Sequence, residues 1–230
     1  SDILEDDDVS ISEVDQSSLW DKIKMILSNK SWVLICAAIT LLYYLVTGIQ
    51  YWISDYMITT LKVEEAKVFV SYASITVTGP VIGIVFGGNI TTYFGGYTSK
   101  PVLTTGLAVA FLCSLVAIPM PFLNSFPLFS VLLWFLLFLG GSVLPCLTGI
   151  MLNCVEQDQR TTANSMANLF YNIFGFLPAP VVYGAIYDAG EGGNGRQAMG
   201  VLMIMPVFCT ILLAAARYFI IRDNVLKYTK

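Results

Sequence analysis

Apolar residues gather along this chain in six long runs, at roughly 32–54, 68–94, 102–119, 128–152, 162–187 and 197–221. An α-helix needs about 20 such residues to cross the hydrocarbon of a bilayer. Backbone polar groups in hydrocarbon must be paired within the membrane, and a helix pairs them inside a single segment. The pattern therefore predicts an all-α, polytopic membrane bundle of six transmembrane helices joined by short polar connections. Ahead of the first run, SSLWDKIKMILSNKS places Trp20, Ile23, Ile26 and Leu27 at helical spacing among lysines. That spacing predicts a short amphipathic helix over 19–31, either lying along the membrane surface or acting as a plain helical linker.

Composition agrees with the pattern. The 230 residues are 56% hydrophobic and 12% charged, about half the charged share of a soluble domain. Seven of the sixteen acids (Asp2, Glu5, Asp6, Asp7, Asp8, Glu13 and Asp15) crowd the first fifteen residues. Residues 1–18 thus read as an acidic, solvated, disordered cytosolic tail, with docking or sorting as the other reading. The bundle then occupies 32–222, and 223–230 form a short C-terminal cytosolic tail. The chain opens on Ser and acids, not on Met and a basic-then-apolar leader. No signal peptide is expected, and the chain is expected to be a portion of something longer.

Charge also orients the spans. With six crossings both termini share a side, and nine of the twelve basic residues fall there: Lys22, Lys24, Lys30, Lys100, Arg160, Arg217, Arg222, Lys227 and Lys230. Lys62, Lys67 and Arg196 fall on the other side. An excess of Lys and Arg marks the cytosolic face, so both termini are expected in the cytosol. The basic residues form no stripe of the kind that binds nucleic acid. The five cysteines lack CxxC spacing and histidine is absent, so buried inert thiols are expected, with no metal and no cofactor.

Polar residues inside the runs carry the candidate chemistry. In the first, Thr40, Tyr43, Tyr44, Thr47, Gln50, Tyr51 and Ser54 recur at three- and four-residue steps. Polar groups avoid lipid, so this stripe is expected to face protein or a water-filled cavity. In the fifth, Asn164, Asn168 and Asn172 stand at i, i+4 and i+8, with Ser165 and Tyr171 near the same face. These amides read either as interhelical glue or as a solute-facing wall whose groups both donate and accept. Gly79, Gly83 and Gly87 make two overlapping GxxxG steps in the second run, a strip that lets another helix approach closely. Pro80 is expected to bend that helix. Gly175 and the Pro178-Ala179-Pro180 break mark a further packing or hinge point. The third and last runs read as outer scaffold. No acid or base falls mid-span, so the chain by itself shows no proton-coupling site. GGNGR lacks the ending of a phosphate loop, and with no nucleophile–base pair an enzyme is not expected.

Six spans, an amphipathic entry helix and Gly-rich loops after the second and fourth spans resemble the C-terminal half of a major facilitator superfamily transporter. TGIQYW at Thr47–Trp52 and ITVTGPVIGIVFGGNI at Ile75–Ile90 look like the spinster-like branch of lipid exporters. LPAPVVYGAIYD at Leu177–Asp188 is also similar to the penultimate span of organic-anion transporters. The resemblance implies a second six-helix half, in the same polypeptide or a partner chain, with solute bound between the halves. It implies that the first and fourth spans line the central cavity, and that the second and fifth meet the other half. On that mapping the Thr40–Tyr51 stripe is the solute wall, while the amides line its flank or bond across the seam. The loop NITTYFGGYTSKP lacks the Asp-Arg pair that many members carry there, which puts a charge-latched gate in doubt. The function so implied is facilitated or secondary active transport, by alternating access, of a small organic solute, amphipathic or lipid-like. The alternative is an accessory membrane subunit that kept the fold and does not transport. The membrane concerned is either the plasma or an endolysosomal membrane.

Overall fold

A computed structural model describes residues 19–97, 99–189 and 194–223; the acidic tail and the last seven residues lie outside the described residues. Six helical stretches are long and apolar enough to cross a membrane: Lys30–Thr59, Glu65–Tyr93, Pro101–Phe122, Phe126–Asn153, Gln157–Asp188 and Gly195–Arg222. At about 1.5 Å per residue each exceeds the ~30 Å hydrocarbon and reaches the headgroups. Among the described residues there is no strand. The chain is a multi-pass membrane bundle.

In chain order the elements are α1 (19–28), α2 (Lys30–Thr59), α3 (Glu65–Tyr93), α4 (Lys100–Ala117) and α5 (Phe126–Asn153). The fifth span contains α6 (Arg160–Phe170), a π-helical turn (Tyr171–Phe176) and α7 (Pro178–Asp188). The sixth is α8 (Gly195–Met203) followed by α9 (Met205–Arg222).

Local chemistry sets the element ends. Asn29 separates α1 from α2, and its Oδ1 accepts the Trp32 backbone N–H at 3.1 Å, capping α2. A capping Asn supplies an acceptor to donors that the first helical turn cannot pair internally. The same side chain donates through Nδ2 to the Cys154 carbonyl at 2.6 Å, tying the start of α2 to the end of α5. Lys22 pairs with Asp158 at 3.6 Å and Ile26 is fully buried, so α1 docks against the α5–α6 connection. One face of the expected surface helix is therefore committed to protein.

The fifth span does not break at Pro-Ala-Pro. Proline lacks an N–H, and its ring crowds the carbonyl four residues back. Pro178 begins α7, where no intrahelical donor is needed. The distortion is taken up one turn earlier by the π turn, where Leu177 N–H bonds Asn172 O at 3.1 Å, five residues back. The sixth span carries an interruption that its apolar run did not suggest. Helix lapses at Ile204, two residues before Pro206, which has no N–H for the preceding turn.

Burial identifies the central helix. About 67% of the α2 window is buried, against 22% for the second and fifth spans. α2 touches α9, α5, α7, α8 and the π turn, whereas α3 packs chiefly on α5. Two apolar layers stack along the bundle. One, around Ile35, Ile39, Ile150 and Leu213, lies toward α1. The other, around Ile53, Tyr56, Phe129 and Leu202, lies toward the opposite end.

The α3–α5 contact is made by glycine. Cβ atoms at Gly83 and Gly87 would collide with the carbonyl oxygens of Phe138 and Ser142. At Gly79 a Cβ would lie 3.3 Å from the Trp134 carbonyl oxygen, and at Gly141 one would lie 2.7 Å from that of Pro80. Two backbones in contact make a rigid pair inside this bundle, so the glycine strip is already occupied by α5. α3 continues as one helix through Pro80.

Candidate functional site

Helical spacing made Thr40–Tyr51 a single stripe; the structure divides it. Thr40, Tyr44 and Thr47 are buried. The Thr40 and Thr47 hydroxyls donate to the carbonyls of Cys36 and Tyr43, each at 2.8 Å, so their protons are satisfied by α2 itself. Tyr43 is half-buried, whereas Gln50 and Tyr51 are exposed. Three- and four-residue steps cover a broad arc of a helix, and neighbouring α9, α7 and α5 close much of that arc.

Tyr43 and Gln50 enter a cleft of about 340 Å³ between α2, α3 and α5. The remaining α2 wall is Leu42, Leu45 and Val46; α3 supplies Thr76, Pro80 and Ile84; α5 supplies Leu136, Leu137, Gly140, Gly141 and Leu144. All of these positions lie near the middle of their helices. The lining is apolar apart from a phenol, a carboxamide and a hydroxyl, and it contains no charged side chain. Thr76 Oγ1 already donates to Tyr72 O at 2.9 Å, leaving its lone pairs as acceptors. A concave, largely apolar surface with a few polar groups is the usual form of a small-molecule site. It offers neutral hydrogen bonds and hydrophobic contact and has no group for acid–base chemistry. Thr76 and the Gly140–Gly141 pair escaped the sequence reading. Their available signal was a small-residue pair in a bulky apolar run, which tells of close approach and not of the partner.

The three asparagines do share one face. Asn164, Asn168 and Asn172 are all exposed, and Asn172 Nδ2 donates to the Asn168 carbonyl at 2.7 Å. Tyr171 does not join them. It is buried on the other side of the helix, its ring 4.9 Å from Tyr43 and its hydroxyl 3.4 Å from Met151 Sδ. One residue is about 100° of helical turn, enough to carry Tyr171 from the amide face into the core. Gly175 lets the π turn approach α2: a Cβ there would lie 2.9 Å from the Thr40 carbonyl oxygen. Phe176 then packs its ring against Tyr43, tilted by 41° with centroids 4.9 Å apart. The fifth span thus buttresses the cleft wall through Tyr171, Gly175 and Phe176, while its amides point away from the described bundle.

At the end opposite α1, Trp52 stacks on Tyr183 at 4.9 Å, and its Nε1 donates to the Pro180 carbonyl at 3.1 Å. That contact ties α2 to the first turn of α7 through the Pro180 carbonyl. Pro178 and Pro180 thereby anchor α7 against the central helix.

The six-span backbone resembles that of a solved transporter. A crystal structure of a bacterial homolog to the human lysosomal transporter Spinster, inward-facing and unoccupied, superposes with a TM-score of 0.73 at 12% identity. The match covers 89% of this chain and 51% of that one. The fold is that of about half of the solved transporter. This chain spans about half the length of the solved transporter. A model of the Organic Anion Transporter Polypeptide (OATP) family matches residues 123–190, which run from the loop before α5 through α7. No curated protein matches the sequence. The two likenesses agree with the resemblances carried by TGIQYW, ITVTGPVIGIVFGGNI and LPAPVVYGAIYD, and both are to transporters.

Proposed function

We propose that this chain is the C-terminal half of an alternating-access transporter, facilitated or secondary active, for a small organic solute of amphipathic or lipid-like character. The observation that carries the reading is the mid-depth cleft where Tyr43, Gln50 and Thr76 interrupt an apolar wall without bringing a charge. Such a wall suits a solute with a long apolar part and a neutral or zwitterionic polar part. The other half of the binding surface would come from a second six-helix half in the same polypeptide or a partner chain. The exposed amides of Asn164 and Asn168, with Asn172 bonded to the Asn168 carbonyl on the same face, support that arrangement, because carboxamides short of partners are unfavourable in lipid. They would face either the second half or the water between the halves.

The test is uptake of a fluorescent lysophospholipid and of an amphipathic organic anion by proteoliposomes carrying the full polypeptide. Tyr43→Ala with Gln50→Ala is expected to abolish saturable uptake while the protein elutes as a folded particle. Unchanged uptake in that variant removes these residues from the solute path. The accessory-subunit reading draws on the match to only half of a solved transporter. It predicts no uptake by wild type and loss of assembly, not of transport, in Asn168 variants.

A further inference from the structure

A second cleft, of about 330 Å³, opens on a different face of α2 from the candidate solute site. Leu27, Trp32, Ala37, Leu41, Phe174 and Leu212 form most of its wall, so it is bounded by α1, α2, the π turn and α9. Along α2 it extends from Trp32 to Leu41, about 13 Å of helix. It therefore starts at the α1 end of the bundle and reaches toward mid-depth.

α1 has two faces. Lys22, Ile26 and Asn29 fall together and dock on the bundle. Leu19, Ile23 and Leu27, spaced i, i+4 and i+8, form the other face with Trp20 beside them. Leu19, Trp20 and Leu27 are 43%, 64% and 45% exposed. Leu27 belongs both to this face and to the cleft wall, so one apolar surface continues from the interfacial helix into the bundle. Lys24 and Lys30 flank it, exposed and without an ion pair among the described residues, Lys30 with its Nζ 5.5 Å over the Phe219 ring and within electrostatic reach of Asp223, whereas Lys22 is matched by Asp158 and Arg222 by Asp223. Asp21 lies farther round α1 from the apolar face than Lys24 does.

We propose that α1 and this cleft hold one resident phospholipid of the surrounding bilayer, distinct from the transported solute. One acyl chain lies along the wall from Leu27 to Phe174. The phosphate lies between Lys24 and Lys30. With Asp223 already paired to Arg222, Lys24 and Lys30 leave the rim net positive, which favours an anionic headgroup over a zwitterionic one. The bound lipid would bridge α1 to α2 and the fifth span, fixing the entry helix that Asn29 joins to the bundle.

The test uses the full polypeptide in nanodiscs of equimolar phosphatidylcholine and phosphatidylglycerol, with a photoreactive benzoylphenylalanine at Leu41 or, as the annular control, at exposed Val131. After transfer to detergent and irradiation, the Leu41 probe is expected to capture phosphatidylglycerol several-fold more than the Val131 probe. Lys24→Gln with Lys30→Gln, both at exposed positions that should not disturb folding, is expected to lower that capture by about fivefold per lysine. Ala37→Trp, which fills the cleft, is expected to abolish it; the lysine variants decide the matter if Ala37→Trp fails to fold. Equal capture at Leu41 and Val131 overturns the proposal, as does a lipid ratio at Leu41 unchanged by the lysine substitutions. Crosslinking of Leu41 to another part of the polypeptide overturns it too, by showing that protein fills the cleft.

Discussion

At the residue scale, position relative to the backbone separates polar side chains that are free to meet a solute from those already satisfied. Thr47 donates to the Tyr43 carbonyl within α2, whereas Tyr43 and Gln50 open into the α2–α3–α5 cleft. Thr47→Val is therefore expected to leave KM for uptake nearly unchanged. Tyr43→Phe and Gln50→Leu should each raise it about two- to tenfold, the size of one neutral hydrogen bond. Measured uptake kinetics of the three variants check the contrast. Thiols give a second residue-scale expectation. All five cysteines are free and buried. At the α5–α6 connection burial pushes the Cys154 thiol up to about 12. Only the thiolate reacts, so at neutral pH Cys154 should alkylate roughly a thousandfold more slowly than an ordinary thiol. Below a pH of about 12 its rate should climb about tenfold per unit of pH as the thiolate fraction grows. Mass spectrometry after timed maleimide exposure measures both.

At the element scale, the glycine strip of α3 is a seam between backbones and leaves no space for a methyl group. Gly83→Ala and Gly87→Ala push a Cβ into the Phe138 and Ser142 carbonyls and are expected to destabilise the bundle by about 1–3 kcal/mol each. Gly88→Ala, one residue along and with nothing within 4 Å, should leave Tm unchanged or raise it slightly. Thermal unfolding of the three variants in one detergent separates packing from helix propensity. The sequence made this strip legible as a close-packing face but left its partner open. Contact with α5 places it inside this bundle, where it stiffens the cleft wall that Thr76 and Pro80 share with Gly140 and Gly141.

At the scale of the whole molecule, the two least buried spans are the second and the fifth. Both present surface that this chain does not cover: apolar on α3, amide-bearing on α6. A cysteine replacing Asn168 is expected to react with a water-soluble maleimide, while one replacing Val131, on the apolar surface of α5, is not. Equal silence at both positions would place the amides in a dry seam or in lipid and weaken the solute-path reading of that face. Because the described cysteines are buried, the background in this assay should be low.

Six crossings, their lengths and the gathering of charge at their ends were determined by the sequence alone. The thickness of hydrocarbon and the need to pair each backbone group act locally, within a single run of residues. Sequence motifs also carried the transporter likeness. Only the tertiary structure decided which side chains of the Thr40–Tyr51 stripe enter a cleft, that Tyr171 leaves the asparagine face, and that Gly83 and Gly87 meet α5. Spacing along a helix sets the angles between side chains, but the rotation of that helix against its neighbours comes from contacts many residues away. The same non-local packing placed the distortion before Pro178 in a π turn, where Gly175 lies against Thr40 and Phe176 packs on Tyr43.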